Sequence, residues 1–285
     1  MVLARNRRIS RKAALVAGAA AAMLFAAPAR AAQCGHNGEG FESWLAAFKQ
    51  QAASEGVSPA AIESALGGLS YDRSVISHDR GQKVFTQSFE RFSGRLISAG
   101  RLARGRRLLQ THAALFRSIE QQYGVPGAVL VAIWGLETDF GADNGNFRTF
   151  SALATLAYDC RRADRFRDEL MDALRIVQRG DMAPSQMRGA WAGEIGQTQF
   201  MPSSYTKYAV DFNGDGRSDL VHDTADVLAS TANFLHGNGW RRGAGWDEGQ
   251  PNFAALLEWN KARVYSKTIA LFADKLAGGG ERGDQ

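Results

Sequence analysis

The sequence predicts a predominantly all-α protein. Apolar residues recur three and four positions apart along most of the chain. The repeating stretches open at Ser, Thr or Pro and stop at Gly. No segment alternates as a half-buried strand does, and there is no internal repeat.

Phe41, Trp44, Leu45, Phe48 and Ala52 share one face of a first helix, stopped by Gly56. Ser58-Pro59 opens a short helix through Leu66 that carries Glu63. A Ser oxygen caps free N–H groups, and Pro fits the first helical position. Residues 67–100 show no clear period; Val84-Phe85 and Phe89–Phe92 are expected to cover part of the core. Leu108, Leu115, Phe116, Ile119 and Tyr123 form one stripe closed by Gly124. Pro126 begins the next helix, and Gly141 ends that region. Thr149 caps a helix from Phe150 to Tyr158, and a longer one runs from Arg162 to Arg179, with Gly180 as its stop. Gly189, Gly193, Gly196, Gly214 and Gly216, with Pro202 among them, make residues 189–216 a loop region without regular elements. Helix returns from Thr224 to His236 and from Ser266 to Leu276. Residues 277–285 are expected to be a disordered tail.

Residues 1–31 read as a secretory signal peptide: a basic start, an apolar Ala13–Ala27 stretch and an Ala29-Arg30-Ala31 cleavage site. Arg7-Arg8 hints at twin-arginine export. The chain has 34 Lys+Arg and 29 Asp+Glu, and six of the basic residues but none of the acidic ones fall in 1–31. The exported chain thus carries 28 positive against 29 negative charges, a net −1, with no case for a nucleic-acid partner. Cys34 and Cys160 are an even pair in an exported protein, so a disulfide is expected; two buried thiols are the alternative.

Glu137 is the most informative residue. Trp134, Ile133 and Leu130 lie three, four and seven positions before it, on its own helical face. A carboxylate on that stripe meets a desolvation penalty and the negative end of a helix dipole, which both raise its pKa. The other reading is a Glu that caps the solvated end of the helix. His36, His78, His112, His222 and His236 lack zinc-site spacing, and no nucleophile elbow or phosphate loop is present. That favours chemistry driven by a carboxylate. Trp191, Phe200, Tyr205, Tyr208, Trp259 and Tyr265 suit either sugar binding or core. Asp211-Phe212-Asn213-Gly214-Asp215-Gly216-Arg217-Ser218-Asp219 matches the first nine positions of an EF-hand-like calcium loop. His222 stands at the twelfth, so Asp223 or Asp226 must close the shell; a hydrogen-bonded Asx-rich turn is the alternative.

Several segments together resemble the membrane-bound lytic murein transglycosylase B family. They are Trp134–Gly141, Leu153–Tyr158 with Arg161-Arg162, Gly193–Tyr205, the loop at 211, and Trp259-Asn260 with Tyr265. They occur in the family's order over residues 36–276. The resemblance implies a lysozyme-like transglycosylase domain, spanning residues 34–276, that acts on peptidoglycan glycan strands in the periplasm. Envelope synthesis or secretion complexes are further partners to consider. It implies cleavage between MurNAc and GlcNAc without water, leaving a 1,6-anhydro ring, with Glu137 as acid and then base. Gln199, Phe200, Met201 and Ser203 match the groove floor, and Trp259, Asn260 and Tyr265 its wall, with Asn260 polarising the acetamido group. Asp211, Asn213, Asp215, the Arg217 carbonyl and Asp226 match the ligands of a weak structural calcium site, with Asp219 reaching the ion through water. Three positions depart from the pattern. Ala190 replaces a Ser that touches the catalytic Glu, Phe166 stands for a groove Tyr, and Glu194 replaces an Ala. Glu194 is either a surface charge or a groove carboxylate that raises the pKa of Glu137. The competing activities are a hydrolytic muramidase, using Asp139, Asp143 or Glu194 as second carboxylate, and a non-catalytic peptidoglycan-binding protein. A calcium-regulated adaptor is a further, weaker alternative.

Overall fold

The computed structural model describes residues 33–81 and 88–278. The expected signal peptide, Val84-Phe85 and residues 279–285 of the expected tail lie outside the described residues. The fold is predominantly α, as the sequence predicts. Helices α1 (Phe41–Ser54), α2 (Pro59–Leu66), α3 (Arg73–Gly81) and α4 (Phe89–Leu96) precede α5 (Ala99–Thr111), α6 (Ala113–Tyr123) and α7 (Gly127–Thr138). Then come α8 (Thr149–Tyr158), α9 (Ala163–Arg179), α10 (Pro202–Tyr208), α11 (Thr224–Gly237), α12 (Phe253–Trp259) and α13 (Arg263–Leu276). Strands β1 (Phe147–Arg148) and β2 (Arg188–Gly189) pair antiparallel, with Phe147 opposite Gly189.

Two apolar clusters form. One gathers the buried faces of α1, α2, α8, α9 and α10; the other surrounds α7 with α6, α11, α12 and α13. Ten of the twelve residues of α7 are buried, so this helix is central rather than amphipathic. Phe234 and Trp259 pack against both clusters and bridge them.

Some elements differ from the sequence reading. The stripe from Leu108 to Tyr123 is two helices, because His112 leaves helical geometry and caps both; apolar spacing does not register a one-residue break. The region 189–216 holds β2 and α10, which Pro202 starts at its first turn. Within 67–100, α4 and α5 open at Ser88 and Ser98, whose hydroxyls accept from Arg91 N–H and Arg101 N–H. The final helix opens at Arg263, three residues earlier than the periodicity predicts.

Cys34 and Cys160 are joined in a disulfide, 126 residues apart. Beside it, Gly35 N–H donates to the Tyr158 carbonyl (2.9 Å) and Cys160 N–H to the Gly35 carbonyl (3.1 Å). Below this clasp, buried Asp79 meets Arg80, Arg161 and Arg162. Burial works to raise the Asp79 carboxyl, but hydrogen bonds and charge from Arg161 and Arg162 outweigh it and hold the pKa low. Closing a loop of that length stabilises by up to about 5 kcal/mol in the chain-entropy model. Unfolded, unreduced mature protein is therefore expected to show no titratable thiol, and two after reduction, with a lower melting temperature.

Candidate active site

The C-terminal end of α7 is stitched to the loop that follows β2. Trp134 Nε1–H donates to Gln197 Oε1 (2.9 Å), and Thr138 Oγ1–H donates to the Gln197 carbonyl (2.5 Å). Gln197 Nε2–H reaches the Val221 carbonyl (2.8 Å), and Gly141 N–H returns to Thr138 Oγ1 (2.9 Å). The loop folds on itself through reciprocal bonds between Ile195 and Phe200. Gly193 has φ 92°, and a Cβ there would sit 2.3 Å from Leu153 Cδ2. Only glycine fits such a position without displacing its neighbour.

This arrangement builds a cleft of about 620 Å³ between the two clusters. α7 supplies Glu137, α9 supplies Arg165 and Glu169, and the loop and α10 supply Glu194, Gln199, Phe200, Met201, Ser203 and Ser204. Phe234, Glu258, Trp259, Asn260 and Lys261 form the facing wall. The concave, mixed aromatic and polar lining suits a polyhydroxylated ligand.

Glu137 keeps partial access to the cleft while protein crowds its carboxyl. Desolvation pushes its pKa up to about 7; hydrogen bonds from Trp259 and Tyr265 oppose the rise, and the charge of Glu194 adds to it. Trp259 Nε1–H donates to Glu137 Oε1 at 3.0 Å. Burial, then the charge and hydrogen bond of Glu137, raise the Tyr265 phenol well above its ordinary value, so it remains a donor. The bland reading of Glu137 as a solvated helix end does not describe this environment.

The expected site residues fall as follows. Glu137, Gln199, Phe200, Met201, Ser203, Trp259 and Asn260 line the cleft. Tyr265, half-buried, hydrogen-bonds the Glu137 carboxyl. Gln199, at φ 55°, has its amide bonded to Ala190 N–H and to the Asn144 and Gly196 carbonyls, so it fixes the floor's shape. Asn260 Oδ1 accepts from Ala262 N–H (2.9 Å), which leaves its NH2 as the donor on the cleft. Phe166 does not enter the groove: it is 1% exposed in the core, and Arg165, about 100° around the helix, lines the cleft instead. Sequence reasoning missed Arg165 and Glu169. Buried Glu169 accepts from Ser203 N–H (2.9 Å) and Oγ–H (2.8 Å), anchoring the start of α10 to α9. Its only sequence signal is a carboxylate on the apolar face of α9 beside Phe166 and Leu170.

In loop 211–226, Asp211 accepts from Gly214, Asp215 and Gly216 N–H, and fully buried Asp226 accepts from Phe212 and Asp219 N–H. Asp223 caps α11 and accepts from Asn213 Nδ2–H. Among the described residues no three His, Cys, Asp or Glu side chains gather as a metal cluster. The donors are nevertheless all hard oxygens. No Lys or Arg pairs with Asp226 among the described residues, so its charge is balanced only by backbone dipoles. That donor chemistry fits calcium.

An all-α protein with a buried acid at the foot of an aromatic-walled cleft is a narrow class. A model of the Transglycosylase SLT domain matches residues 40–250, and the chain belongs to that family. Membrane-bound lytic murein transglycosylase B of Escherichia coli (strain K12) is 44% identical over 124 residues, 43% of this chain. The match spans 34% of that relative's length. SltB3 from Pseudomonas aeruginosa, in complex with NAG-anhNAM-pentapeptide, is 32% identical with a TM-score of 0.81, covering 86% of this chain and 81% of that one. The lytic transglycosylase Slt35 of Escherichia coli, in complex with calcium, is 24% identical with a TM-score of 0.74, covering 87% and 96%; it speaks for the fold alone.

Because the folded pKa of Glu137 exceeds its unfolded value, the protein is expected to lose stability as pH rises from 4.5 through about 7. Glu137→Gln removes that loss: at pH 8 it should stabilise by up to ~3 kcal/mol, and at pH 4 by nothing measurable, in chemical denaturation.

Proposed function

We propose that the chain is an exported peptidoglycan lytic transglycosylase, with residues 34–276 as its catalytic domain. It cleaves the MurNAc-β-1,4-GlcNAc bond and leaves 1,6-anhydro-MurNAc. The observation that carries this is Glu137: one crowded carboxyl, near pKa 7, on the cleft floor between two fixed donors. An acid poised near neutrality can give a proton and take one back. As the protonated acid, Glu137 delivers its proton to the glycosidic oxygen leaving the muramyl sugar. The acetamido carbonyl of that sugar supports the positive anomeric carbon, and the Asn260 NH2 orients it. Trp259 and Tyr265 then stabilise the Glu137 carboxylate, which removes the proton from the sugar's 6-hydroxyl as that oxygen closes on the anomeric carbon. The nucleophile is tethered to its own target, so it has a large effective concentration and needs no activated water. The anhNAM ligand of the SltB3 relative supports this product.

The hydrolytic reading needs a second carboxylate. Asp139 is engaged by Arg101 (3.0 Å) and Arg104 (3.4 Å), and Asp143 accepts from Gly145 N–H (3.2 Å). Neither lines the cleft, whereas Glu194 does, so muramidase activity stays the alternative. Export and a periplasmic location fit the Cys34–Cys160 disulfide. No helix of the described residues is long and apolar enough to cross a membrane.

Mass analysis of digested glycan strands tests the activity. Anhydro-ended products, with cleavage abolished in Glu137→Gln, are expected; reducing ends would move the assignment to a muramidase, and unimpaired cleavage by the variant would sink it.

We also propose that loop 211–226 holds a structural calcium ion through Asp211, Asn213, Asp215, the Arg217 carbonyl and Asp226, with Asp219 reaching it through water. These residues would hold the ion, which would offset the charge of buried Asp226 and steady the loop whose Leu220 and Val221 carbonyls accept from Gln197. A ligand that binds only the native state, at a hundred times its Kd, stabilises by about 2.7 kcal/mol. Calcium should accordingly raise the melting temperature above that in chelator, and Asp226→Asn should remove the difference. A melting temperature indifferent to calcium would refute the site.

A further inference from the structure

Glu194 is the one cleft carboxylate that the proposed chemistry does not use and no neighbour explains away. Four carboxylates line the cleft: Glu137, Glu169, Glu194 and Glu258. Glu258 is paired with Lys261, and Glu169 is held by Ser203 at the start of α10. Among the described residues no cation pairs with the Glu194 carboxyl at salt-bridge distance, although Arg165 acts on it across the cleft. Glu194 Oε2 accepts from Ala192 N–H (3.0 Å), within its own loop. Its carbonyl accepts from Thr149 Oγ1–H (3.2 Å), and that carbonyl lies where a Cβ on Gly189 would collide, 1.9 Å away. The residue is therefore pinned at both ends, with its carboxyl on the same cleft as Glu137.

Resting on the reading of Glu137 as the acid–base group, we propose that Glu194 is a positioning residue that acts through Glu137. It keeps the Glu137 carboxyl protonated, and more firmly once a glycan strand occupies the cleft. Two like charges in one cleft cannot both ionise cheaply. A bound sugar expels water, which strengthens their mutual repulsion. The charge of Glu194 raises Glu137. The other groups facing the pair divide. Burial raises the Glu194 carboxyl and Glu169 adds to the rise, while backbone N–H groups of its own loop and then Arg165 on α9 favour the ionised form. Glu258 on α12 is compensated by Lys261. Trp259 and Tyr265 favour the Glu137 anion, and Arg101 acts on Tyr265. Burial does most to hold Glu137 in its acid form, and the charge of Glu194 adds to it.

The test is the pH profile of kcat/KM for glycan-strand cleavage, with 13C titration of the Glu137 carboxyl. Removing the charge lowers the pKa of the acid, so in Glu194→Gln the alkaline limb should move down by about half a pH unit or more. The carboxyl titration should move with it. Glu194→Asp, which keeps the charge, should return both towards the wild type. If the Gln variant does not fold, Glu194→Ala carries the same expectation. An unmoved limb and titration overturn the proposal while leaving the role of Glu137 intact. Wild-type reducing-end products that disappear in Glu194→Gln also overturn it, making Glu194 a base for water. Full cleavage by Glu137→Gln instead brings down the underlying reading, and this inference with it.

Discussion

The side chain of Gln197 is the constraint on which the rest of the site depends. It accepts from Trp134 on α7 and donates to Val221 in the acidic loop, while the residue's backbone carbonyl receives Thr138, one residue past Glu137. One buried amide thereby fixes three segments far apart in sequence. Buried polar groups must be satisfied, and breaking one such bond strands its partners away from water. The cleft floor and the helix bearing Glu137 cannot slide past one another without that cost. Gly141 and Gly196 are part of the same constraint. A Cβ at Gly141 would lie 2.4 Å from Gln197 Oε1, and one at Gly196 would lie 2.1 Å from the Leu220 carbonyl.

This rigid seam explains how a carboxyl can be both desolvated and serviceable. α7 is apolar on nearly every face, so its last turn brings Glu137 out of the core directly onto the cleft. Desolvation favours the neutral acid, while Trp259 and Tyr265 favour the anion. The opposed effects leave the group near pKa 7, where neither form is strongly preferred at neutral pH. Trp259 does this from a fixed position, because its ring packs edge-on against Phe200 (5.5 Å) and Phe234 (5.0 Å). The aromatic bridge between the two clusters is thus also the support for the acid's donor.

Much of this was legible in the sequence. Glu137 stood out because periodicity put a charge on a buried stripe, and the Gly-rich 189–216 region read as a functional loop. The cysteine pair followed from count and compartment. What stayed hidden depends on side-chain direction at single-residue resolution. Phe166 and Arg165 are adjacent, and only the rotation of α9 decides which faces the cleft. Glu169 anchors α10 across the chain, a contact with no local sequence pattern. Tyr265 bonds the Glu137 carboxyl itself, a contact its place in the sequence does not reveal. His112 broke a helix that its apolar spacing left continuous.

The cleft's charges argue for one carboxyl doing the acid–base work rather than two. A conventional pair of carboxylates divides the labour, one protonated and one ionised, across the scissile bond. Asp139 and Asp143 are removed from that role by Arg101, Arg104 and Gly145. Glu194 is pinned within its own wall by Ala192 N–H and Thr149, and it is proposed to serve as a charge beside Glu137 and not as a second reacting group. In the proposed reaction the sugar's own 6-hydroxyl needs less from the protein, since its attack is intramolecular. The proposed reaction therefore asks Glu137 to deliver one proton and recover it, and asks no second carboxylate to ionise a water molecule.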